Sequence, residues 1–250
     1  MNELPKLWFS IYNLNSTYSG SETEFVDSAN FDWANDLKAN VNSIKNELEV
    51  YLKDHHLESY FNTSMVSKKN SWRTIALKNW SIELFKNQKY FPKTTALLNK
   101  YPQIISSSFN LLTANSKIHA HSGDTNAIYR CHLGIDVPTG LPDCGFRVKE
   151  KISAWKNNEW LLFMDAYNHE AWNNSSNDRY IFLIDVLRDE FIPHKQLVCS
   201  TVRTSLFLQK RAERHTFLLN LKQSHISFLA KTLRPFALIA TKLSNILKIF

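Results

Sequence analysis

Apolar residues recur every three or four positions in three stretches of the chain, a spacing typical of amphipathic helices. The first stretch begins at Asp32, and its apolar positions are Trp33, Leu37, Val41, Ile44, Leu48 and Leu52. The second covers roughly residues 92–100, with Pro92 in its first turn. In the third, about residues 204–250, the apolar positions are Ile226, Leu229, Leu233, Phe236, Ala240, Leu243, Leu247 and Phe250. The pattern predicts helices before and after a central region in which the apolar spacing is different.

Between residues 104 and 186 the pattern changes to short β-prone runs separated by turn-forming residues. The runs are 107–112, 118–121, 128–137, 145–148, 160–164 and 180–186. Many short strands at this spacing favour a sandwich or a barrel, with a jelly roll among the options. Since helices precede the strands, we expect an α+β fold, mainly β, in which N-terminal helices buttress one sheet.

Composition limits the size and class of the protein. At 250 residues, with 44% hydrophobic and 13% aromatic residues, the chain forms one domain or one domain with an appendage. Only 5 glycines are present, and no glycine-rich phosphate loop occurs. The cysteines are widely spaced and odd in number, which excludes a disulfide framework and fits a reducing compartment; they are Cys131, Cys144 and Cys199. No secretory signal is present at the N-terminus, so we predict a cytoplasmic protein.

The positive charge lies in the C-terminal tail. Residues 195–250 hold ten Lys or Arg and one acid, Glu213, whereas the whole chain has a net charge of +7. The segment 196–250 is therefore predicted to be a basic amphipathic helical tail, which Pro235 is expected to kink. Three alternatives stay open: packing on the domain, oligomerisation, or peripheral contact with the inner face of a membrane. We expect no nucleic acid partner, since a charge run is more often a solvated helical face.

Candidate chemistry is concentrated in two polar segments, one around His121 and one around His169. Imidazole suits iron, copper or zinc, and a site with two histidines is short of ligands, which a bidentate 2-oxo acid and water or oxygen complete. Arg130 and His132 are two apart in a β-prone run, so both point to one face and favour an anionic partner. Arg179, ten residues after His169, is placed to hold the far carboxylate of the same molecule. The set predicts a mononuclear iron site beside a dicarboxylate cosubstrate.

In this order the residues resemble the aspartyl/asparaginyl β-hydroxylase family of iron(II)- and 2-oxoglutarate-dependent dioxygenases. The resemblance covers about residues 31–189. Its main motifs are His121-x-Gly123, Arg130-x-His132-Leu133-Gly134, Asp143-Cys144-Gly145-Phe146-Arg147-Val148, Trp155, Phe163-Met164-Asp165, His169-Glu170-Ala171-Trp172-Asn173, Arg179 and Leu183-Ile184-Asp185-Val186. Single motifs are common, but their combination is specific.

The resemblance implies a double-stranded β-helix of jelly-roll or cupin type, with its core at about residues 104–190 in a dioxygenase domain of residues 1–195. It implies that His121 and His169 ligate iron(II), and that a water takes the place of a carboxylate ligand at Gly123. Oxygen and 2-oxoglutarate would be cosubstrates. Asp124 is expected to support the site without ligating the metal.

The resemblance also implies how 2-oxoglutarate is held. Arg130 and His132 would contact its 1-carboxylate side, and Arg179 its 5-carboxylate. Where relatives often have a serine beside that arginine, the matching position here is Asn110, whose amide can donate a hydrogen bond.

The implied reaction is hydroxylation of an unactivated C–H bond, with the β-carbon of an aspartyl or asparaginyl side chain, in a peptide or a small molecule, as the first substrate hypothesis. The alternative is the fatty-acyl chain of a membrane lipid, because the tail is basic and amphipathic. Two less favoured hypotheses are a halogenase, since Gly123 leaves a coordination position open, and a non-catalytic jelly-roll binding protein.

Overall fold

Two antiparallel β-sheets form the centre of the protein, and the computed structural model describes residues 6–14, 16–212 and 214–250. Residues 1–5 and 15 of the predicted domain and residue 213 of the predicted tail lie outside the described residues. The strands are β1 Phe25–Val26, β2 Glu58–Ser59, β3 Trp72–Asn79, β4 Ile82–Glu83, β5 Ile104–Leu112, β6 Ser116–His121, β7 Ile128–Asp136, β8 Cys144–Val148, β9 Lys151–Ser153, β10 Trp160–Met164, β11 His169–Asn173 and β12 Arg179–Leu187.

The larger sheet has eight strands in the order β1-β10-β7-β12-β5-β3-β2, with β4 paired to β3, and the smaller has the order β6-β11-β8-β9. The helices are α1 Asp32–Ala39, α2 Val41–Asp54, α3 Phe85–Gln88, α4 Pro92–Asn99, α5 Lys195–Ala212 and α6 Gln223–Leu247. Short 3₁₀ turns lie at Ser10–Tyr12, Ser28–Asn30, Thr63–Met65, Asp189–His194 and Thr216–Asn220. This is the predicted α+β jelly roll, mainly β, and the predicted fold class is confirmed.

The N-terminal helices cover one face of the larger sheet, as expected. The predicted apolar stripe is buried, and Trp33, Leu37 and Ile44 pack against sheet residues such as Phe109 and Phe182. The structure differs in one respect, because the stripe belongs to two helices, α1 and α2. Asn40 separates them with a non-helical backbone (φ −102°, ψ 11°), and its amide donates back to the Asp36 carbonyl.

The opposite face of the larger sheet packs on the smaller sheet. Phe163 from the larger sheet and Phe146, Val148 and Ala171 from the smaller one share a second core. Strand alternation assigns each residue to one of these cores, because successive side chains point to opposite faces. Cys131 therefore packs towards the helices, while its two neighbours face the space between the sheets.

The two tail helices differ in how they pack. One face of α5 is buried: Val198, Cys199 and Val202 join a third core with Phe9 and Ile128. The helix α6 continues through Pro235, and among its residues only Ala230 and Ser244 are buried.

Candidate active site

His121 and His169 are brought side by side although 48 residues separate them in the chain. His121 is the last residue of β6, His169 is the first of β11, and the two are paired across the smaller sheet. Their ring centroids are 4.2 Å apart. The strand register therefore produces the two-histidine arrangement that the sequence predicted.

Backbone carbonyls orient both imidazoles in the same way. Nδ1 of His121 lies 2.8 Å from the carbonyl oxygen of His119, and Nδ1 of His169 lies 2.8 Å from that of Tyr167. A carbonyl oxygen only accepts, so each Nδ1 carries the proton and each Nε2 keeps its lone pair. Burial lowers the pKa of His121 to about 4, and burial followed by the neighbouring His121 lowers the pKa of His169 well below its usual range. Both rings are neutral at neutral pH, as metal ligands must be.

Arg130 lies on β7 beside the histidines, and like His132 it faces the cavity between the sheets. Its Nε donates to Asp185 Oδ1 at 2.8 Å, its Nη2 donates to Asp185 Oδ2 at 3.2 Å, and its Nη1 lies 2.7 Å from Asp165 Oδ1. Burial alone would lower the pKa of Arg130, but Asp165 and Asp185 together hold it above its usual value. The anionic partners of Arg130 therefore include two carboxylates of the chain itself.

His132 and Arg179 carry hydrogen-bonding groups without a partner. Trp155 Nε1 donates to His132 Nδ1 at 3.2 Å, which leaves the protonated Nε2 of His132 buried and without a hydrogen-bond partner among the described residues. Arg179 is 2% exposed and its guanidinium lies 4.2 Å from the Trp155 ring centre. Within the described part of the chain, its Nε and Nη1 have no hydrogen-bond partner. Burial lowers the pKa of Arg179 to about 10. Because an unpaired buried cation is costly, these groups indicate a missing anionic ligand.

Asn110 lines the same cavity, but its amide already has partners. Its Oδ1 accepts from Trp72 Nε1 at 3.0 Å, and its Nδ2 donates to Ser108 Oγ at 2.8 Å. In the sheet, Arg179 is paired with Leu112 rather than with Asn110. Asn110 thus forms part of the cavity wall and helps hold the Trp72 ring there.

Asp165 belongs to the motif Phe163-Met164-Asp165, but no role in the site was predicted for it from the sequence. A Cβ added to Gly123 would overlap the Asp165 carboxylate, so this side chain fills the space in front of Gly123. Asp165 Oδ1 is 3.8 Å from His169 Nε2, and neither carboxylate oxygen receives a well-directed hydrogen bond from a residue that the structure describes. Burial raises the pKa of Asp165, and Arg130 opposes that rise. The lack of a side chain at Gly123 is the sequence feature that could have indicated a carboxylate supplied by another segment.

Asp124 points away from the histidines. Its Oδ1 accepts from Ser205 Oγ at 2.9 Å and from Ser10 Oγ at 3.1 Å. Asp124 therefore connects the loop after His121 to α5. Across residues 6–14, 16–212 and 214–250, no group of three or more His, Cys, Asp or Glu side chains is arranged to hold a metal ion.

Comparisons with known proteins also indicate a family of hydroxylases. The family model described as aspartyl/asparaginyl beta-hydroxylase matches residues 38–189. The chain is 29% identical over 186 residues to the ornithine lipid ester-linked acyl 2-hydroxylase of Rhizobium tropici, an alignment that covers 72% of this chain and 66% of that protein. It is 30% identical over 110 residues to the human aspartyl/asparaginyl beta-hydroxylase, covering 42% of this chain and 14% of that protein.

The chain thus spans less than two thirds of the length of these curated relatives. Among solved structures, a prolyl-4-hydroxylase from Pseudomonas putida aligns with a TM-score of 0.41 at 10% identity, covering 60% of this chain and 87% of that one.

Proposed function

The chain belongs to the aspartyl/asparaginyl beta-hydroxylase family, and from that premise we propose that it is an iron(II)- and 2-oxoglutarate-dependent dioxygenase that hydroxylates an unactivated C–H bond. One observation carries the proposal. Arg179, a buried guanidinium whose Nε and Nη1 find no hydrogen-bond acceptor on residues 6–14, 16–212 and 214–250, lines the same cavity as the adjacent imidazoles of His121 and His169.

The donor set fits iron(II). His121 and His169 offer neutral Nε2 atoms, and each ring is fixed by a hydrogen bond to a backbone carbonyl. Such outer hydrogen bonds orient histidine ligands in metal sites and increase their basicity. Two histidines leave coordination positions for a 2-oxo acid and oxygen, which is the requirement of this chemistry. His121 and His169 are therefore our proposed iron ligands.

The unpaired donors fit 2-oxoglutarate. We assign the 5-carboxylate to Arg179, whose planar guanidinium can bind a carboxylate through two parallel hydrogen bonds. The 1-carboxylate side is assigned to His132, through its free Nε2, and to Arg130, whose guanidinium is also paired with Asp165 and Asp185. Asn110 shapes the cavity wall through its bond with Trp72.

The chain's residues bind, orient and exclude water. Iron(II), when bound, would couple the oxidative decarboxylation of 2-oxoglutarate by oxygen to hydroxylation of the substrate. Phe146 and Phe163 pack against His169 and His132 and keep water from the rings. Asp165 lies between Arg130 and His169, and its ion pair with Arg130 holds that guanidinium in place. The cofactor supplies the reactivity, and the protein supplies orientation and a dry site.

The first substrate class is an aspartyl or asparaginyl side chain, hydroxylated at its β-carbon. The alternative is a lipid acyl chain, with the tail in peripheral contact with the inner face of a membrane. Two findings favour this alternative: the basic tail leaves large apolar side chains exposed, and the Rhizobium tropici relative aligns with 72% of the chain.

The test is oxygen transfer by the full-length protein. Purified protein is incubated with iron(II), ascorbate, 2-oxoglutarate and ¹⁸O₂, once with an aspartyl- and asparaginyl-containing peptide and once with ornithine lipid. We expect succinate and a product that gains one ¹⁸O atom, and the product identifies the substrate class.

His121→Ala and His169→Ala should abolish both products, while His56→Ala, a change at an exposed histidine, should have no effect. Chloride incorporation would indicate a halogenase. No iron-dependent consumption of 2-oxoglutarate by the wild-type protein, even with its fold verified, would contradict the proposal.

A further inference from the structure

Only a small part of the apolar surface of α6 packs on the protein. Near the start of the helix Ile226 packs against the third core, and further along the side that meets the protein is mostly small or polar. Ala230 and Ser244 are buried, the carbonyl of Ala237 accepts from Arg203 Nη1 at 2.9 Å, and the Asn245 amide bonds with Ser81 and Glu83 of the domain. Amphipathic helices in water-exposed positions normally bury their large apolar residues instead.

Six large apolar residues of α6 face outwards. Phe236 and Ile246 are 69% and 74% exposed, and the same surface includes Phe228, Ile239, Leu243 and Leu247. At 100° per residue, Phe228, Ile239 and Ile246 lie opposite Ala230, Ala237 and Ser244, and the other three lie along one side of the helix next to them. Half of the exposed large hydrophobic residues among the described residues lie within 228–250. We call this surface the outer face of α6.

The charge around the outer face is positive. Residues 214–250 contain no Asp or Glu. Lys231 and Lys242 are exposed and lie eleven residues apart, close to three helical turns, so both flank the same edge of the outer face. Lys248 adds an exposed cation near its end. Pairing with a second copy of this face would bring like charges together, whereas an anionic surface would complement them.

We propose that the outer face of α6 docks into the interface of an anionic lipid bilayer, with the helix parallel to the membrane plane. The 25 residues of α6 extend about 37 Å, and Phe, Ile and Leu side chains would enter the boundary between head groups and acyl chains. Lys231 and Lys242 would lie at the head-group level, beside the lipid phosphates. Within the described part of the chain, no helix is long and apolar enough to cross a membrane. Docking depends on α6 alone and does not rest on the proposed reaction.

An apolar groove lies between α6, α5 and the N-terminal segment. Ile226 and Leu229 line it together with aliphatic residues of α5 and the N-terminal segment, and its volume is about 440 Å³. Ser10 and Ser205 also line the groove, and both donate to Asp124, three residues after His121. In a protein docked through α6, this groove would lie beside the loop that follows His121.

The experiment is vesicle sedimentation with the full-length protein. Vesicles of phosphatidylcholine alone are compared with vesicles that also contain phosphatidylglycerol. We expect the protein to sediment with the anionic vesicles, and high salt should release it. The double variant F236S/I239S should weaken binding by about 100-fold, and K231A/K242A by about 30-fold.

Matched controls make the same changes on other surfaces. V50S/I152S alters two exposed apolar residues, K53A/K93A removes two exposed cations, and both should bind vesicles like the wild type. All the altered side chains are exposed, so thermal unfolding should verify an unchanged fold. Hydrogen exchange of the wild type provides a second measurement, in which vesicles should protect the amides of residues 228–250.

Three results would overturn the proposal. The wild type could remain in the supernatant with anionic vesicles and show no protection of α6. The control variants could lose binding as much as the α6 variants. Finally, without vesicles, F236S/I239S could convert a dimer into a monomer, which would show that a second copy covers the outer face.

Discussion

The carboxylate of Asp165 occupies the space that a side chain at position 123 would fill. Gly123 and Asp165 lie on different segments, and the Gly123 N–H donates to the Asp165 carbonyl at 2.8 Å. A Cβ on Gly123 would overlap the Asp165 side chain. Gly123 and Asp165 thus form one structural feature, in which the carboxylate needs the space that the glycine leaves. Substitution of either residue tests it.

Gly123→Ala should destabilise the protein by about 2 kcal/mol, because the new methyl group displaces a buried carboxylate in a packed site. Gly140→Ala is the matched control, since a Cβ there meets no atom within 4 Å. Its effect on the free energy of unfolding should stay within about 0.5 kcal/mol. Urea unfolding of the metal-free proteins measures the free energy of unfolding of both variants. Equal values for the two variants would show that the Asp165 side chain moves aside with no loss of stability.

Asp165→Asn should lower iron(II) affinity and turnover by about 10- to 100-fold, as changes beside metal ligands commonly do. The amide keeps the shape but removes the charge that holds Arg130 next to His169. Iron titration and succinate release are the measurements. Asp143→Asn, at an exposed position, should leave both values unchanged; wild-type iron affinity in Asp165→Asn would show that the carboxylate does not support the site.

Arg179→Met should have opposite effects on binding and on stability. Loss of the guanidinium should raise the 2-oxoglutarate concentration for half saturation roughly 30-fold or more. Without 2-oxoglutarate, the free energy of unfolding should be unchanged or rise by about 1–4 kcal/mol, because an unpaired buried cation is replaced by an apolar side chain.

Saturation curves and urea unfolding of Arg179→Met are compared with those of Arg211→Met, a change at an exposed arginine. A normal 2-oxoglutarate saturation curve for Arg179→Met would refute the proposed carboxylate role.

Glu22 should make stability fall in acid. Its carboxylate accepts from Arg188 Nη1 at 2.7 Å and from the Tyr18 hydroxyl at 2.8 Å. Burial alone would raise the pKa of Glu22, but the hydrogen bond from Arg188 helps to bring it below the ordinary value of 4.5. A lowered folded-state pKa stabilises the fold above pH 4.5, and this stabilisation is lost as the pH falls through the folded-state value.

Glu22→Gln should therefore remove about 1 kcal/mol near neutral pH, a modest amount because the pair is partly solvated, and less at low pH. Urea unfolding of the wild type and of Glu22→Gln, from neutral pH to below pH 4.5, measures the difference in their free energies of unfolding. Glu49→Gln, at an exposed position, should show no such trend. A constant difference between the wild type and Glu22→Gln at every pH would mean that the ionised form contributes nothing.

Strand alternation explains why much of the site was predictable. The two-residue spacing of Arg130 and His132 placed both on one face, and the structure has both lining the cavity. A role for Asp165 was not predicted, although the motif Phe163-Met164-Asp165 contains it, because that role depends on contact with Gly123, 42 positions earlier in the chain. No local pattern reports such a contact between the turn after β10 and the loop after β6.

The tail shows a second limit of prediction from the sequence pattern. Helical periodicity predicted an apolar stripe that includes Phe236, Leu243 and Leu247, but in the structure these side chains are 50–69% exposed. Periodicity states which residues share a face of a helix, and it does not state whether another surface covers that face. In α6 the contacts with the protein are made by Ile226 at the start of the stripe and, further along, by Ala230, Ser244 and Asn245.

The amino-acid sequence by itself determined the alternation of strands, the helical stripes, the two histidines and the basic tail, because these depend on local spacing and residue type. Tertiary structure alone decided that His121 and His169 are paired, that Asp165 fills the space before Gly123, and which side of α6 meets the protein. It also decided that Arg179 Nε and Nη1 meet no hydrogen-bond acceptor among the described residues. These relationships join segments far apart in the chain, and only the packing of the two sheets and of the tail against the larger one fixes their distances.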